Sequence, residues 1–441
     1  MNLFPHQAQA VERMIQAPSF LLADEPGLGK TATLTVTAAR VAGRGLVVVV
    51  CPRNVIRHWK ASFATWAPLQ QIVVTNYEQL HKLDRGLNPA VLIIDESHKL
   101  KNERSDRFEK VWALAQAWRM AALLRGAQLR IYLATGTPVY SYPIDLMTSL
   151  LLLGQLDPAR VPAFKARYCD PTRRKLGGRM VLDMRGASNL DELARACQAF
   201  VLRRGWGEAG IKMPAVTLTD LFVKEKITAP EYFEASADFG TWYRANGGTA
   251  AGAAMARFTV LRRIVAMAKV PSAIEQTLDD IKGGQKVIVF TEFRDSAQAI
   301  HDGVAAEGAG AFLIMGGQTE KERDAILSAF KAPDGQAAVL VATTDSLGEG
   351  TDGLQDVCRI VTFNDLDFEP AMFVQALRRV WRIGQRHPVA VRRLFIEGDK
   401  MEEFIQENLL KKERIQRQLG LEDSTSLHNL QKQGGPHGSE R

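Results

Sequence analysis

Residues 24–31 read DEPGLGKT, following the apolar run SFLLAD (19–24) and preceding TATLTVTAARVA, which has the pattern of a helix. That context suits a phosphate loop. Gly27 and Gly29 would let backbone N–H groups come close to phosphate oxygens, Lys30 would reach the β- and γ-phosphates, and the Thr31 hydroxyl would ligate Mg²⁺. The general form of such a loop has glycine where this chain has Asp24. Further on, VLIIDESH (91–98) ends a buried-type strand in two adjacent carboxylates. Two acids at a strand end are costly unless a cation or a catalytic task awaits them. Asp95 could hold Mg²⁺ through water, and Glu96 could orient or deprotonate an attacking water. A glycine turn or a solvated strand end would explain either motif alone. The two together, in this order, point to hydrolysis of a nucleoside triphosphate.

A third stretch, QALRRVWRIGQ (375–385), belongs to a segment (370–396) that carries Arg378, Arg379, Arg382, Arg386, Arg392 and Arg393 but no Asp or Glu. Like charges three or four apart on a helix repel, so something negative should meet them. Pro370 is a good first helical residue and Gly384 a good stop, which predicts a helix with Arg379 and Arg382 on one face. Their guanidinium groups would stabilise charge developing on a transferred phosphoryl group. Trp381 reads as a packing residue.

These residues need a rigid support. Short, continuously apolar runs predict parallel strands covered on both faces: SFLLAD, GLVVVVCP (45–52), AVLIIDE (90–96) and RIYLATG (130–136), then QKVIVFTE (285–292), GAFLIMGG (310–317), AAVLVATT (337–344), CRIVTFND (358–365) and VAVRRLFI (389–396). The stretch between the two groups is richer in helix formers and loops. The expected architecture is α/β: a nucleotide-binding lobe over 1–155, a mainly helical insertion over 156–255, and a second lobe over 256–400. A helix and a polar, disordered tail would follow over 401–441.

The chain has 441 residues, 46% hydrophobic and 24% charged, with a formal net charge of +7. Its pI near 9.2 permits nucleic acid as a partner without requiring it. No apolar run approaches the roughly 20 residues that cross a bilayer. The opening MNLFPHQAQAVERM has no basic region leading into an apolar core, so no secretory signal is expected. The four cysteines, Cys51, Cys169, Cys197 and Cys358, show no CxxC spacing and predict neither a zinc site nor a disulfide framework.

With these motifs in view, residues 1–400 resemble the SWI2/SNF2-like branch of superfamily 2 helicases. LFPHQAQAV (3–11) looks like the glutamine motif, in which Gln7 would read adenine. ADEPGLGKT is similar to the branch's ADEMGLGKT, which also carries Asp at position 24, and so draws Asp24 into the nucleotide site. CPRNVIRHW (51–59) and TNYEQL (75–80) resemble strand-contacting motifs and make Asn76 a DNA contact. DESHKLKN (95–102) is close to DEAHRIKN, with His98 as a coupling residue. ATGTPVYSYPIDL (134–146) looks like the motif that couples hydrolysis to DNA through Thr135, Gly136 and Thr137. QALRRVWRIGQ matches QAxxRxxRIGQ and adds Gln375. TTDSLGEGTDGL (343–354) is nearer the general helicase form, with Thr343 toward DNA and Gly350 and Asp352 toward nucleotide. FKARYCD (164–170) and FVLRRGWGEAGIKMP (200–214) are closest to the strand-annealing subgroup.

The resemblance implies two RecA-like lobes, ATP and Mg²⁺ as cofactors, and double-stranded or branched DNA as partner. It describes a motor acting as a monomer, without a membrane, which would be cytoplasmic and DNA-associated if the source is prokaryotic or viral. A translocase on duplex DNA is the leading expectation. A strand-separating helicase, an RNA-directed helicase and a basic DNA-binding module with a silent nucleotide site are the alternatives.

Overall fold

The computed structural model describes residues 2–176, 179–228, 232, 236, 253–332, 338–347 and 353–433. Two units divide the chain. Unit 1 comprises 1–171, 184–212 and 414–423, and unit 2 comprises 172–183, 213–413 and 424–441.

Unit 1 is built on a six-stranded sheet. Its strands are β1 (Ser19–Leu22), β2 (Leu46–Cys51), β3 (Ile72–Asn76), β4 (Pro89–Asp95), β5 (Arg130–Ala134) and β8 (Val201–Leu202), in the order β3-β2-β4-β5-β1-β8. Every pairing is parallel. Val47, Val48, Val49 and Val50 of β2 are all buried, as are Val91, Leu92, Ile93 and Ile94 of β4. Branched side chains on both faces of a strand require cover on both sides, which the flanking helices provide. The helix Asp106–Leu124 is capped by Ser105, whose hydroxyl accepts from the Phe108 N–H at 3.3 Å.

Unit 2 repeats the plan with β9 (Val216–Val223), β10 (Val287–Thr291), β11 (Gly310–Ile314), β12 (Ala338–Thr343), β13 (Ile360–Phe363) and β14 (Val389–Ile396), in the order β11-β12-β10-β13-β14-β9. These pairings are also parallel. Both units are RecA-like lobes, which is the expected fold class.

The stretch 156–255 differs from the helical insertion expected there. Its described residues hold the helices Val161–Tyr168 and Leu190–Cys197, but β8 joins the first sheet and β9 joins the second. An antiparallel hairpin, β6 (Thr172–Leu176) with β7 (Arg179–Asp183), lies between them. β8 is only two residues long, and β9 alternates apolar and polar residues as an edge strand does, so neither produces a continuous apolar run.

The C-terminal region is also more ordered than expected. Asp423, Thr425, Ser426, Leu427 and Leu430 are buried, and Leu427–Gln433 is helical. The Glu413 carboxylate accepts from the Leu427 and His428 N–H groups at 2.7 and 3.1 Å, satisfying donors at that helix start. The polar character of this tail serves caps and ion pairs rather than solvent alone. Residues 434–441 lie outside the described residues.

Candidate active site

In unit 1 the order β4-β5-β1-β8 delivers four chemistry-bearing segments side by side at the carboxyl ends of parallel strands, the usual ligand side of such sheets. DESH follows β4, TGT follows β5, the phosphate loop follows β1, and Arg203–Arg204 follow β8.

The phosphate loop turns through Gly27 at φ +87° and Gly29 at φ +74°, and the helix Lys30–Ala42 begins immediately after it. Glycine is required at 29 for a second reason, since a Cβ there would stand 2.1 Å from Gln7 Nε2. Gln7 Nε2 donates to the Leu28 carbonyl at 3.2 Å, and its Oε1 accepts from the Phe4 N–H at 3.0 Å. The glutamine expected to read adenine is thus tied to the phosphate loop. Lys30 Nζ donates to the Asp24 backbone carbonyl at 2.7 Å. Burial lowers the Lys30 pKa, with the Glu96 and Asp24 carboxylates working against that shift. Thr31 is half-buried at the start of the same helix.

At the end of β4, Asp95 Oδ2 accepts from Trp59 Nε1 at 2.8 Å, and its Oδ1 accepts from the Glu96 N–H at 3.0 Å. Tyr77 Oη donates to the Asp95 carbonyl at 2.5 Å. Glu96 adopts φ +51°, a left-handed conformation that a residue with a Cβ takes only where its surroundings impose it. Its carboxylate lies 3.1 Å from His98 Nδ1, which is also 2.9 Å from Thr135 Oγ1. Thr135 Oγ1 in turn accepts from the Thr137 N–H at 3.0 Å. Glu96, His98, Thr135 and Thr137 therefore form one polar chain from the end of β4 to the loop after β5. Gly136 closes the site from that loop: a Cβ there would be 2.9 Å from Pro26 Cγ.

Burial raises the Glu96 pKa, but the hydrogen bond and charge of His98, with Lys30 and Lys99, outweigh it and hold the carboxyl below its usual value. The balance has a testable sign. His98→Ala removes the largest of the influences that lower this pKa and leaves burial, Lys30 and Lys99 in place, so the acid limb of the activity profile should move to higher pH. An unmoved limb in kcat-versus-pH measurements would dissociate His98 from Glu96.

Several expected site residues serve other purposes. Both oxygens of the Asp24 carboxylate are held by Arg204, with Nε at 3.1 Å and Nη2 closer still. Both partners are buried, and Arg204 Nη1 also donates to the His6 carbonyl at 2.7 Å. A carboxylate so far from water is tolerated only with such a fork opposite it. Asn76 is buried, and its Oδ1 accepts from the Gln79 N–H at 2.9 Å, capping the 3₁₀ turn Tyr77–Lys82. Thr343, at the end of β12, is buried, and its hydroxyl has no hydrogen-bond partner among the described residues. Gly350 and Asp352 fall outside the described residues.

In unit 2 the helix Pro370–Leu377 stops short of the arginines. The N–H groups of Arg379 and Val380 bond three residues back, to Ala376 and Leu377, so the chain tightens into turns that end at Gly384 with φ +101°. Val380 and Trp381 are both buried, and Trp381 Nε1 donates to the Pro214 carbonyl at 2.9 Å. Trp381 is thus a packing residue, and Arg379 and Arg382 are half-buried on a turn rather than on a helix face. Gln375 remains on the helix, also half-buried.

The acid-free arginine run is partly answered from within unit 2. Arg393 pairs bidentately with Asp220 at 2.7 and 2.8 Å, and Arg392 pairs with Asp280. Arg378 Nε donates to Thr425 Oγ1 at 3.2 Å. These partners are distant in sequence, so the run looked more uncompensated than it is.

Sequence reasoning also missed Arg203 and Arg204 as supports of the site. Arg203 Nη1 donates to the carbonyls of Ala23 and Gly136 at 2.6 and 2.8 Å, and Nη2 reaches Asp423 Oδ2 at 2.9 Å. One guanidinium thus joins the end of β1, the loop after β5 and the 414–423 segment. The available signal was two consecutive arginines after a short apolar pair, FVLRR, which was read only as a subgroup mark. Arg204→Ala should destabilise unit 1 by about 3–5 kcal/mol, because Asp24 is left buried without its partner. The double variant Asp24→Asn/Arg204→Met should recover much of the loss in chemical denaturation. A single-variant loss below about 1 kcal/mol would show that the pair does not hold the loop.

Comparison with known proteins agrees with this arrangement. The SNF2-related domain matches residues 6–85, and the helicase conserved C-terminal domain matches residues 269–384. The SWI/SNF-related matrix-associated actin-dependent regulator of chromatin subfamily A-like protein 1 of Bos taurus is 29% identical over 439 residues, covering 92% of this chain and 44% of that protein. The DNA annealing helicase and endonuclease ZRANB3 of Mus musculus is 26% identical over 412 residues, covering 86% of this chain and 37% of that protein. The chain therefore spans less than half the length of these curated relatives. A solved structure described as the Sulfolobus solfataricus SWI2/SNF2 ATPase core in complex with dsDNA covers 98% of this chain at 21% identity, with a TM-score of 0.41. The SNF2-related domain and the helicase conserved C-terminal domain thus occur in this order along the chain, and the chain is similar to SWI2/SNF2-like members of the superfamily 2 helicases.

Proposed function

We propose that this protein is a DNA-dependent ATPase that couples hydrolysis to movement along double-stranded DNA, remodelling the DNA or displacing what is bound to it. The observation that carries the reading is the continuous chain Glu96–His98–Thr135–Thr137 beside the phosphate loop. It joins the expected catalytic base to a segment that would sense DNA.

In this reading the amides of the loop and Lys30 hold the phosphates, and Gln7 would read the adenine edge by exchanging its contacts with Leu28 and Phe4 for the base. Thr31 and Asp95 supply hard oxygen donors suited to Mg²⁺, which keeps most of its waters and needs few protein ligands. The ion would neutralise phosphate charge when bound. Glu96, held ionised by its neighbours, takes the proton of the attacking water, and Arg379 and Arg382 stabilise the charge on the transferred group. Hydrolysis loosens this grip, and the change passes through His98 and Thr135 to the DNA-facing loops.

Basic residues on phosphates would supply most of the DNA affinity, which should fall steeply with salt and show little sequence preference. We further infer that the protein works as a monomer on DNA. Among the described residues no helix is long and apolar enough to cross a membrane.

Strand separation is the second reading. It is favoured by TTDSLGEGTDGL, which follows the general helicase form. Measuring ATP turnover without nucleic acid and with duplex, single-stranded, forked DNA or RNA tests the first reading. Triplex displacement compared with fork unwinding separates it from the second. Stimulation by duplex with triplex displacement supports the translocase. Unwinding of the fork without triplex displacement selects the helicase, and stimulation by RNA alone removes both.

A further inference from the structure

The β6–β7 hairpin forms a two-stranded sheet of its own, joined to neither large sheet. Its outgoing strand exposes three consecutive apolar residues: Met180 at 64%, Val181 at 39% and Leu182 at 47%. Successive residues of a strand point to opposite faces, so both faces of this strand carry apolar surface. A lone hairpin gains little stability in water, and three solvent-facing apolar side chains do not serve a core.

The incoming strand has the opposite character. In the register Leu182 lies across from Arg173, Val181 from Arg174 and Met180 from Lys175. With Arg179, the hairpin sequence 172–183 holds four basic residues against one acid, Asp183, which lies across from Thr172. An apolar strip on a hairpin whose sequence is net positive complements a ligand that is apolar in its planes and anionic along its edge. Unstacked nucleic-acid bases attached to their phosphates have that chemistry, and Met and Leu side chains are among those that wedge between base steps.

We propose that this hairpin is a branch-point wedge, which packs Met180, Val181 and Leu182 against unpaired bases at a DNA junction while the basic strand holds the adjoining phosphates. This rests on DNA being the partner, as proposed above, and adds a preference for branched over plain duplex DNA.

The test uses the full chain, a fork carrying 2-aminopurine at the junction, and a duplex of matching length. The wild type should bind the fork more tightly than the duplex and change the 2-aminopurine fluorescence. The exposed-residue variant Met180→Ser/Val181→Ser/Leu182→Ser should lose about tenfold in fork affinity. Duplex affinity, duplex-stimulated ATPase and thermal stability should stay unchanged. Arg173→Glu should weaken fork binding and flatten its salt dependence. Equal wild-type affinity for fork and duplex, or a triple variant that keeps the fork preference, would overturn the proposal. So would a concentration-dependent dimer in sedimentation that the triple variant abolishes while fork binding persists, because a second copy would then cover the strip. A wild type without DNA-stimulated ATPase that still shows the hairpin-dependent fork preference would reject the motor reading and keep the wedge.

Discussion

Replacing Arg382 with lysine is expected to slow ATP turnover nearly as much as replacing it with alanine, by about 10³-fold or more, with little change in KM. Lysine keeps the charge but loses the planar fork that grips two phosphoryl oxygens. The mounting of Arg382 supports a large effect. Trp381 on one side is buried and bonded to the Pro214 carbonyl at 2.9 Å. Gln385 on the other side donates to the carbonyls of Cys358 and Val380 at 3.0 and 3.3 Å. A group held on both sides loses little reorganisation energy in the transition state, and that preorganisation is what makes a charge catalytic. Single-turnover measurements would isolate the chemical step. A fall of less than about threefold in Arg382→Ala would reassign this turn to DNA binding.

Glu96→Gln should retain ATP and lose turnover by roughly 10²–10⁴-fold. The amide preserves the shape of the side chain and can still accept from His98, so the left-handed backbone at 96 and the polar chain to Thr135 should persist. What disappears is the capacity to take a proton. Fluorescent-nucleotide titration should give an affinity within a few-fold of wild type. If Glu96→Gln hydrolysed ATP within about tenfold of wild type, the base would have to be another residue.

The two predictions differ in how far the sequence alone supports them. Glu96 follows a strand of continuous apolar residues, and both its position and its chemistry are local properties. Arg382 was identified by spacing, but its setting was misjudged. A proline start and a glycine stop describe a helix over 370–384, whereas the helix ends at Leu377 and the chain tightens into turns with bonds three residues back. Asp24 and Asn76 have structural partners that the sequence did not show, for a related reason. Each sits inside a recognisable motif, yet its partner is either remote, as Arg204 is for Asp24, or a backbone N–H whose need appears only once the turn has formed.

The sequence by itself determined the elements that local chemistry can specify. Continuous valine and isoleucine runs specify buried parallel strands, glycines at 27 and 29 specify a loop that only a left-handed backbone can make, and paired acids at the end of β4 specify a site for a cation and a water. The tertiary structure alone decided which remote charges meet. It set Arg203 across the end of β1, the loop after β5 and the 414–423 segment, and it placed Asp220 and Asp280 opposite arginines that had looked uncompensated. It also drew the two-residue β8 and the alternating β9 into separate sheets. The physical reason is common to all of these. Periodicity and turn chemistry act over a few residues, whereas a buried ion pair or an edge strand is stabilised by a partner that sequence distance hides and only the folded chain brings near.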